Sequence, residues 1–169
     1  MNGNLHQVVL SLGANEGDPL HNFTLALLMI QNKIGEVTNY SSDYSSKAWG
    51  MKDGTPDFIN RIVIVRTALK PKKILKATQK IEKKLGRKQK SKNNQYDDRL
   101  IDIDILLFDN RIIDKKKLIV PHPHIQKRRF ILEPLVEIIP DYVHPIFKKS
   151  IKELLLSCED KLKVEIIER

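Results

Sequence analysis

Asp102 and Asp104 stand two residues apart in the run Arg99-Leu100-Ile101-Asp102-Ile103-Asp104-Ile105-Leu106-Leu107-Phe108. The run is rich in β-branched residues and free of Gly and Pro, the pattern of a strand. Strand side chains alternate faces. Ile101, Ile103, Ile105 and Leu107 therefore point one way, and Leu100, Asp102, Asp104 and Leu106 the other. Two carboxylates about 7 Å apart among apolar neighbours repel each other and lose hydration. A divalent cation would compensate, and hard oxygen ligands with no nearby Cys favour Mg²⁺ over zinc. The plainer reading is an edge strand carrying two solvated acids. Phosphate chemistry at such a pair also needs cations for the far side of the phosphate. The sequence supplies Arg87, Arg99, Lys117, His122, Arg128 and Arg129. The planar fork of arginine suits phosphate oxygens, and its charge does not titrate away.

A second group of residues has a different character. Trp49 and Phe58 offer flat apolar surfaces, and the Asn60 amide carries a donor and an acceptor together. A planar heterocycle could stack on such rings while the amide reads its edge. Alternatively, Phe58 is core and Asn60 ends a turn. Val120-Pro121-His122-Pro123 is a stiff extended segment leading towards Arg128 and Phe130.

The elements that must position these residues follow from periodicity. Residues 7–12 alternate into a strand, and Gly13 opens a turn-forming stretch through Pro19. Leu20, Phe23, Leu27, Ile30 and Ile34 recur at helical spacing, with Gly35 as the stop. A strand is expected over 37–44, an irregular loop over 45–56 and another strand over 58–66. Pro71 starts a helix whose stripe is Ile74, Leu75, Thr78, Ile81 and Leu85, ending at Gly86. Residues 87–98 are polar and aperiodic, a long loop. After the Asp-bearing strand, Asp109-Asn110 signals a turn and 112–120 a short hairpin. Helices are expected over 129–139 and 150–162. The order β-α-β-β-α-β predicts an α+β fold, a ferredoxin-like, mainly antiparallel sheet with helices packed on it.

Composition narrows the class of protein. At 169 residues the chain suffices for one domain with a real core, read as 1–169 throughout. A net charge of +9, concentrated in 70–92 and 115–117, favours an anionic partner: nucleic acid, anionic membrane or a nucleoside triphosphate. No apolar run reaches membrane-span length, and no signal pattern opens the chain. The one cysteine, Cys158, excludes an internal disulfide, so a reducing cytoplasm is expected. It falls at helical spacing with Ile151, Leu154, Leu155 and Leu162, a core position.

Taken as an ordered set, these segments resemble the 6-hydroxymethyl-7,8-dihydropterin pyrophosphokinases nearly end to end. The resemblance rests on Ser11-Leu12-Gly13-Ala14-Asn15, Pro56-Asp57-Phe58-Ile59-Asn60, Thr78-Gln79-Lys80-Ile81-Glu82 and Leu85-Gly86-Arg87. It continues through Arg99-Leu100-Ile101-Asp102-Ile103-Asp104, Val120-Pro121-His122 and Arg128-Arg129-Phe130-Ile131-Leu132-Glu133-Pro134-Leu135. It implies transfer of pyrophosphate from ATP to the hydroxymethyl group of the reduced pterin, leaving AMP. Asp102 and Asp104 would hold two Mg²⁺ ions, and Arg87 and Arg99 would offset charge on the transferring group. Gln79, Ile105, Lys117, His122 and Arg128 would lie around ATP. Phe58 and Phe130 would sandwich the pterin, Asn60 would bond its edge, and main-chain groups of Ser46, Ala48 and Trp49 would complete the pocket. The chain departs from the family pattern at Tyr96-Asp97-Asp98, where Trp-Gly-Pro is usual, and at Ser46-Lys47-Ala48, where Thr-x-Pro is common.

Two other readings fit parts of the sequence. A nucleotidyl cyclase or polymerase palm also carries paired acids on such a sheet, but divides them between a strand and a neighbouring turn. An RNA-binding module would suit the charge, yet the Gly-Phe-x-Phe strand motif is absent and the two acids would repel phosphates. The expected partners are therefore small molecules, with no nucleic acid or membrane. With no coiled coil or interface stripe, the expected state is a monomer.

Overall fold

The computed structural model describes residues 5–47, 54–86 and 100–167. Strand β1 (His6–Ala14) runs antiparallel between β4 (Phe58–Thr67) and β5 (Asp102–Phe108). Along the other side of β4 lie β2 (Glu36–Tyr40) and β3 (Tyr44–Ser46), and β8 (Val164–Ile166) pairs with β3. Among the described residues the resulting sheet has six strands, with β5 at one edge. Helix α1 (Pro19–Lys33) joins β1 to β2, and α2 (Pro71–Lys84) joins β4 to β5. This is the expected βαββαβ order. A small hairpin, β6 (Ile113–Lys115) and β7 (Leu118–Val120), follows β5.

Alternation on each strand divides the interior into two cores. Val8, Leu10, Leu12, Val63, Val65, Ile103 and Ile105 face α1 and α2, meeting Phe23, Ile30, Ile74 and Ile81. Val9, Ile62, Ile64, Leu106 and Leu107 face the opposite side. There they are covered by α3 (Arg129–Ile138) and α4 (Ile151–Leu156), through Leu132, Leu135 and Leu154. Each fully buried aliphatic side chain contributes about 1.5–3 kcal/mol. The C-terminal helices thus close the sheet face that a bare ferredoxin-like unit would expose.

The structure corrects several expectations. Strand β1 continues through Gly13 to Ala14, where a turn was expected. The single strand over 37–44 is broken in two, and the loop over 45–56 gives up Ser45 and Ser46 to β3. At the break, the Ser41 hydroxyl accepts the Ile62 N–H (3.0 Å) while Ser41 N–H donates to Ile62 O (2.9 Å). Beside it, Arg61 and Asp43 form a buried bidentate pair, both contacts at 2.7 Å. Helix α4 stops at Leu156. The Ser157 hydroxyl bonds the Glu153 carbonyl, a local bond that competes with helix continuation. Cys158 is buried as expected but lies beyond the helix, and the following chain forms β8. Leu107 points to the second core, not with Ile101, Ile103 and Ile105. The register shows why: Leu10 opposes Ile105 and Val9 opposes Leu107, so Leu106 is the extra residue of a β-bulge.

Candidate active site

On the face covered by α3 and α4, three adjacent strands change character together. Along β1 the residues run Val9, Ser11, Gly13; along β4, Ile64, Ile62, Asn60; along β5, Leu106, Asp104, Asp102. The apolar end packs in the second core, and the polar end is what remains beyond the helices. Pairing makes the alignment explicit. Tyr44, Asn60, Gly13 and Asp102 form one row across four strands, and Ile62, Ser11 and Asp104 form part of the next. Strands lie about 4.8 Å apart, so Asn60 and Asp102 are separated by about 10 Å.

Asp102 and Asp104 are half-buried on this face, as the alternation predicts. Among the described residues no third His, Cys, Asp or Glu joins them in a metal-binding group. A protein cage of the calcium type is therefore not built from these residues. Two carboxylates leaving most coordination positions to phosphate oxygens and water fit Mg²⁺.

The Asn60 amide is 3% exposed, and its Nδ2 donates to Ser46 Oγ at 3.3 Å. That bond fixes which way the amide points. The Ser46 hydroxyl, which the sequence does not mark, is thus the group that orients Asn60. Phe58 is half-buried and opposes Ser46 in the ladder, on the same face as Asn60. Tyr44 extends the row, and its hydroxyl donates to Glu137 Oε2 of α3 at 2.9 Å. Burial, with that bond, pushes the phenol up from its ordinary value. Phe130 lies in the first turn of α3, and the Arg128 guanidinium carbon is 5.8 Å from its ring centre, a cation–π contact.

His122 is held by its N–H, which donates to Leu106 O at 2.9 Å. Burial first, then Arg128 and His124, push its imidazole down to about 4, against the opposing pull of Asp102. The ring is neutral at pH 7, with the charges of Arg128 and Asp102 acting on it in opposite directions.

Gln79 and Lys117 come together elsewhere. They line a cavity of about 1500 Å³ between α2 and the β6–β7 hairpin, which also draws on Lys72, Lys76, Arg111 and Lys116. Both walls pack against β5, so this basic cavity runs beside the edge of the acid-bearing strand. The Ile105 side chain is buried in the first core, so only its main chain can serve a ligand there. Arg87, Arg99, Ala48 and Trp49, with Tyr96, Asp97 and Asp98, lie outside the described residues.

The sheet thus brings Asn60 and Asp102 into one row, with Asp104 in the next. The 7,8-dihydro-6-hydroxymethylpterin-pyrophosphokinase (HPPK) family model matches residues 9–140. The chain is 40% identical over 146 residues to the 2-amino-4-hydroxy-6-hydroxymethyldihydropteridine pyrophosphokinase of Aquifex aeolicus, covering 86% of this chain and 88% of that one. It is 38% identical over 144 residues to the folic acid synthesis protein of Pneumocystis carinii, covering 85% of this chain but 19% of that longer one. The same fold occurs in Plasmodium falciparum HPPK-DHPS, solved with pterin and p-hydroxybenzoate. There the TM-score is 0.72 at 19% identity, over 92% of this chain and 43% of that chain. The chain belongs to the HPPK family and is an enzyme of the pyrophosphokinase class. No described helix is long and apolar enough to cross a membrane.

Proposed function

We propose that the chain transfers the terminal pyrophosphoryl group of ATP to the hydroxymethyl group of 6-hydroxymethyl-7,8-dihydropterin, a step of folate synthesis. The observation that carries this reading is the row Asn60–Gly13–Asp102. An amide able to read a heterocycle's edge faces a phosphate-handling carboxylate across a floor without a side chain. The pterin ring stacks between Phe58 and Phe130, with Asn60 on its edge and the main chain of Ser46, Ala48 and Trp49 closing the pocket. Gln79, Lys117, His122, Arg128 and the main chain of Ile105 hold the nucleotide. The substrate hydroxyl oxygen attacks the β-phosphorus, the bond to the α,β-bridging oxygen breaks, AMP leaves and the hydroxyl proton passes to solvent. Arg87 and Arg99 offset charge on the group in flight.

Asp102 and Asp104 would hold two Mg²⁺ ions, which when bound neutralise phosphate charge and favour an in-line arrangement. The protein's own contribution is positional, since both acids lie in the β1 ladder and Asn60 is oriented by Ser46. Neutral His122 adds no charge of its own beside Arg128 at pH 7. We read the enzyme as a cytoplasmic monomer, one domain over the whole chain, with its thiol buried. The test is an assay of AMP release from ATP with and without the reduced pterin. AMP that appears only with the pterin, and only with Mg²⁺, is the expected result. Pterin-independent release would sink the reading.

A further inference from the structure

Glu82 is a buried carboxylate that the mechanism above does not use. It lies on α2, 2% exposed, and its Oε1 accepts the backbone N–H of Ile103 at 2.9 Å. Ile103 is the residue between Asp102 and Asp104. In an antiparallel strand successive residues turn their backbone groups to opposite edges. Asp102 and Asp104 oppose Gly13 and Ser11 of β1, while the Ile103 N–H points away, to Glu82. Because β5 is an edge strand, no strand among the described residues supplies an acceptor on that side. Glu82 supplies it, from 21 residues away in sequence.

We propose that Glu82 is a positioning residue for the acid pair: by holding the Ile103 amide from α2, it fixes the separation and direction of the Asp102 and Asp104 carboxylates. The peptide groups flanking Ile103 carry both acids, so any tilt of this segment swings the two carboxylates relative to each other. The ladder with β1 restrains them from one edge only, and the Glu82 bond restrains the strand from the other. A charged acceptor makes that bond shorter and stronger than a neutral one would. The inference rests on the reading in which Asp102 and Asp104 hold the metal.

The test compares wild type with Glu82→Gln, Glu82→Ala and Glu82→Asp. Mn²⁺ binding is measured by electron paramagnetic resonance in the presence of a non-hydrolysable ATP analogue, and exchange of the Ile103 amide by NMR. Gln keeps an acceptor oxygen at the same reach and should retain Mn²⁺ affinity to within about threefold, while Ala should lose about 10–100-fold, as outer-shell changes do. Ile103 exchange should quicken in Ala and Asp but not in Gln, and KM for the pterin should stay unchanged in all. If Ala fails to fold, Gln against Asp carries the same contrast, because the shorter side chain falls short of the amide. Gln as weak as Ala, or Ala binding Mn²⁺ as wild type does, overturns the positioning role. A wild-type protein that binds no Mn²⁺ overturns the metal reading itself.

Discussion

Asn60 and Asp102 occupy one row of the sheet with only the hydrogen of Gly13 between them. A Cβ at Gly13 would stand 3.3 Å from Asn60 Oδ1, tighter than ordinary contact. A side chain there would have to displace the Asn60 amide by a few tenths of an ångström, and no unusual backbone angle favours glycine. Gly13→Val should weaken pterin binding by about tenfold, or about 1.4 kcal/mol, with ATP affinity nearly unchanged. Separate calorimetric titrations of the two ligands check this. Equal losses would mean that Gly13 serves only strand packing.

Asp102 and Asp104 are like charges sharing one half-buried face, so each weakens the case for ionising the other. Asp102→Ala or Asp104→Ala should abolish transfer, while thermal stability without Mg²⁺ stays equal or rises. Near-normal turnover in either variant would dismiss the metal assignment.

Asn60→Ala removes the amide proposed to read the pterin edge and should cost about 1–3 kcal/mol of pterin affinity. Ser46→Ala leaves the amide in place but unlocks its orientation, since the 3.3 Å bond is lost. A smaller loss, confined to the pterin, is expected in the same titrations. Unchanged pterin binding by Ser46→Ala would show that packing alone holds Asn60.

Lys72 and Lys76 line the basic cavity at a distance from the acids. Clustered charge of one sign steers an anion before contact is made. Replacing both by Glu should slow ATP association by about tenfold at low salt. The difference from wild type should shrink as salt screens the field. Stopped-flow binding over an ionic-strength series measures it, and a salt-independent deficit would indicate direct contact instead.

His144 is 1% exposed, and its Nδ1 accepts the N–H groups of Ile146 (3.2 Å) and Phe147 (3.4 Å). Burial pushes the imidazole below its ordinary value. As pH falls through the ordinary histidine range, the unfolded chain takes up a proton that the folded chain refuses, so stability falls. Urea melts from neutral to mildly acidic pH should show this loss reduced in His144→Asn. An identical pH dependence in wild type and variant would rule the residue out.

Much of this was legible because period-2 alternation states which residues share a face, and Asp102 with Asp104 needed nothing more. Asn60 and Phe58 could likewise be placed together from their spacing. The row itself was not legible: it depends on the register of β1 against β4 and β5, and single-strand patterns carry no register. Gly13 read as a turn because glycine punctuates loops more often than it clears a sheet floor. Glu82 looked like one more charge on a basic helix, since its partner is a backbone amide that sequence does not mark. The break at Ser41 escaped for the same reason, being made by a side chain standing in for a backbone group.

The bulge at Leu106 has a consequence for how this strand can change length. Its carbonyl receives the His122 N–H, so the surplus residue is also the peg on which the Val120–Pro121–His122 segment hangs. Removing Ile103 would make the two acids adjacent and turn one of them to the face packed on α1 and α2, away from the other. Removing Leu106 itself would leave both acids facing as they do and regularise the ladder, but would cut His122 loose. Strand β5 therefore has two separable failure modes under deletion, one at the acid pair and one at the anchor of His122.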